Sequence, residues 1–168
     1  SLVPHLAEAP CGVLSTGTWM IVMALGGRQV TLDAARDVLV NVNALGRPVP
    51  TARFMGGREM EEMMGGRIGE PSADDLRAVL EGRVMAMPSL HPETGPFPGK
   101  RFGWIGGEPE GGARMAAASF YAALMGAECL DLAGAEGPVI VEGAFGGNMA
   151  FLRMLATATG RVVRGSGQ

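Results

Sequence analysis

The first third of the chain consists of short apolar runs separated by glycines, a pattern typical of strands joined by turns. Cys11–Thr16 is a β-prone run that ends in a turn, and Trp19–Ala24 is a second one, closed by the pair Gly26-Gly27. Gln29–Thr31 can start a return strand. This spacing predicts a β-hairpin with glycine-bearing connections.

Later apolar runs predict three more strands, at Val38–Val42, Val84–Met87 and Pro138–Val141. Two segments rich in glycine and proline predict loops instead. One follows Val42 and contains a glycine and two prolines, and the other is Pro88–Gly103. Many of the chain's 27 glycines stand in pairs, and this distribution marks turns rather than a low-complexity tract.

Helical periodicity predicts four helices over the rest of the chain: Arg58–Met64, Ser72–Leu80, Gly112–Leu132 and Asn148–Thr159. Ser72 is a candidate N-cap, and two aspartates follow it in the first turn, where the helix dipole favours anions. The third helix is apolar on most sides, which predicts a central, buried position. Hairpin strands followed by alternating helices and strands imply an α/β fold, a mixed sheet covered by helices.

Length and composition indicate a single domain. At 168 residues, of which 47% are hydrophobic, the chain can enclose a sizeable core but is too short for two ordinary domains. The net charge of −3 and the scattered basic residues argue against a nucleic-acid partner. If phosphate is bound here, backbone N–H groups must therefore do most of the holding.

No membrane partner and no targeting segment are expected. The longest uninterrupted apolar run is Trp19–Leu25, whereas a helix needs about 20 apolar residues to span a bilayer. Cys11 and Cys129 both lie in apolar segments, which favours reduced core residues of a cytoplasmic protein over a disulfide. Since Ser1 is not a methionine and no signal-peptide pattern follows it, we expect the sequence to begin inside a longer chain.

Two turns carry candidate chemistry, and the first is Ser15-Thr16-Gly17-Thr18. A tight turn between two strands can point several backbone N–H groups and hydroxyls at one spot, a concavity that suits a phosphate oxygen. Gly17 would let the backbone approach a ligand closely, because a Cβ there would block it. The alternative is an ordinary hairpin turn that contains Ser and Thr.

The second turn follows the last predicted strand and consists of Gly143, Ala144, Phe145, Gly146 and Gly147, with Asn148 opening the final helix. A strand, a small-residue turn and a helix N-terminus hold nucleotides in many folds. The alternative is a plain connection whose glycines serve packing. A nicotinamide-binding site is a weaker hypothesis, because the glycines do not match its spacing and no acidic residue follows about 20 positions later.

Together the two turns resemble the C-terminal domain of the FGGY carbohydrate kinases. Leu14–Trp19 is similar to the second phosphate loop, most of all in the rhamnulokinase and fuculokinase branch, and Val141–Asn148 resembles the adenosine motif. Asn43–Glu62 resembles the branch's Asn-then-Gly-Gly segment before a helix, and Met87–Ser89 with Gly95–Gly99 resembles a loop of fuculokinase-like members. The resemblance covers nearly the whole chain.

The resemblance implies a ribonuclease-H-like fold of the actin, hexokinase and Hsp70 type, a mixed sheet with helices on both faces. It implies one nucleotide-binding domain over residues 1–168 that works with an N-terminal domain, ATP and sugar meeting between the two. The implied reaction is phosphoryl transfer from ATP with Mg²⁺ to a hydroxyl of a ketose or deoxyketose such as rhamnulose, fuculose or xylulose. Such catalysis consists mostly of positioning and charge stabilisation.

The resemblance also assigns roles to residues. Ser15, Thr16, Gly17 and Thr18 would hold the β- and γ-phosphates, while Gly143, Ala144, Gly146, Gly147 and Asn148 would flank the adenosine. The catalytic aspartate would lie just upstream of Ser1, so no catalytic residue is expected in this chain, and a last strand and helix would follow Gln168. Glu142 and Phe145 depart from the usual glycine-rich adenosine run.

The remaining polar residues give weaker candidates. Five aspartates are candidates for the base that takes the sugar's proton, and each is a weak one: Asp33, Asp37, Asp74, Asp75 and Asp131. Asp74 and Asp75 are better explained by a helix N-terminus, and Asp33 and Asp37 flank a predicted surface turn or helix. His5 and His91 lie far apart, and no group of residues has metal-ligand spacing. A kinase-like module that binds a nucleotide or a partner without turnover remains the alternative function, and homodimerisation is left open.

Overall fold

The computed structural model describes residues 2–66 and 69–166. The strands are β1 (Cys11–Thr16), β2 (Met20–Leu25), β3 (Val38–Val42), β4 (Pro48–Phe54), β5 (Met85–Met87), β6 (Gly103–Ile105), β7 (Val139–Gly143) and β8 (Val163–Gly165). The α-helices are α1 (Gly56–Met64), α2 (Ala73–Glu81), α3 (Gly111–Leu132) and α4 (Met149–Thr159). Three short 3₁₀ helices lie at Val3–Glu8, Ala34–Arg36 and Ala144–Gly147.

Six strands form one mixed sheet in the order β3-β4-β2-β1-β7-β8, and β5 pairs with β6 separately. β1 is antiparallel to β2 and parallel to β7, which is in turn parallel to β8. In the β1–β7 register Thr16 lies opposite Gly143. Because these parallel strands end at the same level, the two turns singled out in the sequence leave the sheet side by side.

The alternation of side chains along the strands divides the core between the two faces of the sheet. Leu14, Val22 and Phe54 belong to the main core, which α1, α3 and α4 complete. Val13 and Ile140 point to the opposite face, where side chains of the N-terminal segment pack. The α-helices therefore cover one face, with α2 packed on α3, and the first 3₁₀ helix lies on the other.

The predicted loop after Val42 is confirmed over residues 43–47 but is wrong at Pro48 and Pro50, because Pro48–Phe54 forms β4 between β2 and β3. Proline cannot donate to a ladder and is tolerated where no partner strand needs its N–H. Pro48 and Pro50 pair only with β3, since the β2 ladder ends at Met23 opposite Thr51. The two prolines thus lie in the half of β4 that has a single neighbour.

Three further differences concern short or irregular segments. The return strand expected at Gln29–Thr31 is wrong, and this stretch is irregular; just before it, the Arg28 N–H donates to the Gly134 carbonyl at 2.9 Å. β6 and β8 were not predicted, and each has three residues, too few for a recognisable alternation. The predicted loop at Pro88–Gly103 is confirmed except for its last residue, because Gly103 begins β6.

The four predicted helices are confirmed to within one or two residues. Ser72 caps α2 as expected, and its hydroxyl and the Asp75 carboxylate form a reciprocal capping box. Of the described residues, only α3 has the length and hydropathy of a membrane span. It packs against the sheet and α4, and most of that stretch is buried, which is the character of a core helix.

Candidate functional site

A cleft opens where β1, β7 and the start of α1 meet. Its volume is about 650 Å³, and its lining consists of Gly17, Thr18, Gly57, Arg58, Glu61, Ala144 and Phe145. Gly17 and Thr18 follow β1, Ala144 and Phe145 follow β7, and the other three belong to the first two turns of α1. The two turns predicted from the sequence therefore share one concavity, and a helix N-terminus is its third wall.

The first turn of α1 touches the Gly17–Thr18 turn backbone to backbone. The Arg58 N–H donates to the Thr18 carbonyl at 3.3 Å. A Cβ on Gly57 would overlap the Gly17 carbonyl oxygen and would lie 2.7 Å from the carbonyl carbon. Only glycine fits this contact, which brings the positive end of the helix dipole to the cleft.

Thr16 joins the two turns from behind. Its side chain is buried, and its hydroxyl donates to the Glu142 carbonyl at 2.5 Å and accepts from the Phe145 N–H at 3.0 Å. Gly143 has a φ of 88°, and a Cβ there would overlap the Thr16 carbonyl oxygen. One hydroxyl and one glycine thus fix the relative position of the two cleft walls.

The predicted binding residues divide into those that line the cleft and those that support it. Gly17, Thr18 and Ala144 line it. The other six lie behind or beside this lining: Ser15, Thr16, Gly143, Gly146, Gly147 and Asn148. Ser15 stands in β1 opposite Ile21 and Glu142. Direct contact between any of these residues and a nucleotide stays a prediction.

Asn148 is engaged in holding α4. Its side-chain oxygen accepts from the Phe151 N–H at 3.0 Å, and its amide donates to the Ser119 hydroxyl at 3.1 Å. Beside it, Gly146 is buried and packs on Gly165 of β8, where a side chain would overlap the Gly146 carbonyl. The second turn is therefore anchored to α3 and β8 as well as to β1.

Sequence reasoning assigned no site role to Gly57, Arg58 or Glu61. The signal available was the Gly56-Gly57 pair directly before an amphipathic run, a helix start without a side-chain cap. The sequence does not show that this helix start lies beside the Gly17 turn, because that position depends on the pairing of β4 with β2. A sequence pattern that predicts a loop in place of β4 leaves the helix start without a link to the Gly17 turn.

Charge in the cleft comes from one cation and one anion. Arg58 lines it and also forms an ion pair with Glu62 at 3.1 Å, and Glu61 lines it as well. Within residues 2–66 and 69–166, no group of three or more His, Cys, Asp or Glu side chains could hold a metal ion. Phosphate binding would thus depend on backbone N–H groups and Arg58.

The aspartates and histidines weighed from the sequence lie outside the cleft lining. Asp33 and Asp37 flank a short 3₁₀ helix, and Asp37 also pairs with Arg53 at 3.1 Å. Asp131 pairs with Arg28 at 2.5 Å. His5, in the first 3₁₀ helix, lies 2.7 Å from the Glu142 carboxylate. These contacts give the side chains structural roles away from the cleft.

Both cysteines are buried and free, as the sequence predicted. Burial raises the pKa of the Cys11 thiol, and it raises that of Cys129 further, with a contribution from the nearby Glu128 carboxylate. Thiols held in the neutral form are poor nucleophiles, so neither is a candidate catalytic group.

Comparison with known proteins identifies the family. The family described as carbohydrate kinase FGGY, C-terminal domain, matches residues 8–168. A carbohydrate kinase from Novosphingobium aromaticivorans is 43% identical, with a TM-score of 0.85 over 96% of this chain and 37% of that one. No curated protein gives a significant match.

Two xylulose kinases share the fold at low identity. The enzyme from Bifidobacterium adolescentis is 15% identical, with a TM-score of 0.71 over 97% of this chain and 35% of that one. The one from Rhodospirillum rubrum is 14% identical, with a TM-score of 0.65 over 99% of this chain and 37% of that one.

The chain spans little more than a third of the length of the solved structures it matches. The mixed sheet and its covering helices agree with the α/β ribonuclease-H-like fold that the resemblance implies, except that the α-helices cover one face and a 3₁₀ helix lies on the other. The chain belongs to the FGGY carbohydrate kinase family and corresponds to its C-terminal domain.

Proposed function

We propose that this chain is the ATP-binding domain of a sugar kinase and that the cleft holds the nucleotide. The observation that carries the proposal is the convergence of two strand-end turns and the N-terminus of α1 on one concavity. Backbone N–H groups at a helix start and the helix dipole both favour phosphate. A volume of about 650 Å³ also suits a small-molecule ligand.

The residues of the cleft fit a nucleoside triphosphate whose phosphates point toward α1. Gly17, Thr18 and Arg58 would hold the β- and γ-phosphates, since they line the cleft at the helix start. The Gly17 and Arg58 N–H groups donate to the Trp19 and Thr18 carbonyls, so Thr18 and the Arg58 side chain would be the donors, and Gly17 would let the phosphate approach closely. Ala144 and Phe145, with Gly146 and Gly147 beyond them, would flank the adenosine. Thr16 and Asn148 would support these walls rather than touch the ligand, because their side chains already bind the protein. Ser15 and Gly143 would do the same from the β1–β7 ladder, outside the cleft lining.

ATP with Mg²⁺ would supply the transferable phosphoryl group and neutralise part of its charge. This chain's own contribution would be to position the phosphates through backbone donors and to exclude water from the Phe145 side. Preorganised donors of this kind cost no rearrangement when charge develops during transfer. The contacts that fix Gly57 against Gly17 and Thr16 against Phe145 supply that preorganisation.

The sugar and its base belong to the remainder of the proposed enzyme. We propose an N-terminal domain as the partner, an aspartate upstream of Ser1 as the base, and a ketose or deoxyketose of the xylulose, rhamnulose or fuculose type as the acceptor. The rhamnulokinase and fuculokinase branch rests on the motif at Leu14–Trp19. A cytoplasmic location fits the free, buried cysteines.

Calorimetric titration of the chain with Mg-ATP, Mg-ADP and NAD tests the proposal. We expect one site that binds both adenine nucleotides and rejects NAD. Binding of NAD alone, or of no nucleotide, would overturn the ATP-binding role. Joining the chain to its upstream domain and measuring ATP-dependent phosphorylation of ketoses then separates a kinase from a module that binds without turnover.

A further inference from the structure

A buried carboxylate stands beneath the cleft, on the same helix that forms its third wall. Glu59 belongs to α1, two residues after Gly57, and its exposed fraction is 1%. It takes no part in the cleft lining. Neither the sequence motifs nor the proposed nucleotide contacts assign it a role.

Neutral donors from two other parts of the fold converge on this carboxylate. The Tyr121 hydroxyl, from α3, donates to one oxygen at 2.9 Å, and the Ser89 hydroxyl lies 3.4 Å from the other. Tyr121 and Ser89 are both almost fully buried. The His91 N–H donates as well, so the loop after β5 contributes two of the three donors.

Burying the Glu59 carboxyl in this way lowers the free energy of unfolding, so a contribution to stability does not explain the residue. Among the described residues, no Lys or Arg forms an ion pair with Glu59. Burial accordingly raises the pKa of the Glu59 carboxyl, although the three hydrogen bonds and the nearby His91 imidazole partly oppose that effect. A buried carboxylate without a Lys or Arg partner costs free energy that an apolar side chain of similar size would not.

The start of α1 needs an anchor of this kind. Met55 occupies its N-cap position and provides no side-chain cap. The first turn must nevertheless hold Gly57 against the Gly17 carbonyl and the Arg58 N–H against Thr18. Glu59 follows these residues directly, and its contacts fix that turn from below, to α3 and to the loop.

We propose that Glu59 is a positioning residue for the nucleotide cleft: with Tyr121 and Ser89 it holds the Gly57–Arg58 turn against Gly17–Thr18. The proposal rests on the nucleotide-binding role of the cleft. It predicts that the carboxylate and the Tyr121 hydroxyl set the affinity for nucleotide, although neither touches it.

Affinity measured at matched stability separates this role from simple packing. Glu59→Gln and Tyr121→Phe should each weaken Mg-ADP binding by about five- to tenfold at a temperature where the variants stay folded. The double variant should lose less than the product of the two, since both changes break one interaction. Val79→Ala, which disturbs the α2–α3 contact, is the control: it should lower Tm and leave affinity unchanged.

Amide hydrogen exchange supplies a measurement that needs no nucleotide. Exchange at residues 57–59 should accelerate in Tyr121→Phe and in Ser89→Ala, the mildest variant, but not in Val79→Ala. Unchanged exchange at residues 57–59 would overturn the positioning role. So would a loss of affinity that is proportional to the loss of Tm in every variant, Val79→Ala included. If the unaltered chain binds no nucleotide while exchange responds as expected, the proposed function fails and the anchoring of α1 stands.

Discussion

Gly57 lies against Gly17 with no space for a side chain between them. The contact joins a helix start to a strand-end turn, both of which line the cleft. The two glycines differ in one useful respect. A Cβ on Gly57 would strike backbone, whereas the nearest atom to a Cβ on Gly17 is the Trp19 carbonyl oxygen at 3.8 Å.

Gly57→Ala should damage both the fold and the site. The Gly17 carbonyl belongs to a short turn that cannot move far, so α1 must shift away from it. We expect a stability loss of about 1–3 kcal/mol, the usual cost of overpacking, and nucleotide affinity reduced more than tenfold. Urea unfolding and calorimetric titration measure the two effects. Gly103→Ala, where nothing lies within 4 Å of the added carbon, is the control and should alter neither.

Gly17→Ala should damage the site alone. The added methyl group fits the protein, since 3.8 Å is an ordinary contact and the backbone there does not require glycine. It projects from an exposed turn on the cleft wall, where it would keep a phosphate from the backbone. We expect unchanged Tm and affinity for Mg-ATP lower by about tenfold or more. Equal affinity in this variant would remove Gly17 from the phosphate site.

Substitution of Thr16 tests whether its hydroxyl contacts the ligand or only joins the two turns. Thr16→Val removes the hydroxyl at nearly constant volume and leaves the Phe145 N–H without its partner. An unpaired buried donor costs about 1–3 kcal/mol, so we expect lower stability together with weaker binding. Thr16→Ser keeps the hydroxyl and should behave almost like the unaltered chain. Weaker binding of Thr16→Val at unchanged stability would instead indicate a hydroxyl that contacts phosphate.

The sequence predicted the elements with a strong period and missed those that depend on distant partners. α3 is recognisable from its 22 largely apolar residues, and α2 from a serine at the N-cap position followed by two aspartates. β4 is not recognisable in this way, because its two prolines are compatible with a strand only where β2 does not pair with it, and this pairing is a tertiary feature. The turns at Gly17 and Ala144 were found by composition, since strand-end turns need small residues. Arg58 and Glu59 carry no local signal, because their roles follow from tertiary contacts to Thr18 and Tyr121.

The pH dependence of stability should expose the buried charge of Glu59. Its raised pKa means that the folded chain holds a proton that the unfolded chain releases near pH 4.3. Stability contributed at this site therefore falls as pH rises from about 4.3 through the folded pKa. Tyr121, Ser89 and His91 face the carboxylate. Because Glu59→Gln cannot titrate, its stability relative to the unaltered chain should rise over that window and then level off. Urea unfolding of both proteins from pH 4 to 9 measures this difference, and a flat difference would contradict a carboxylate that ionises in the core.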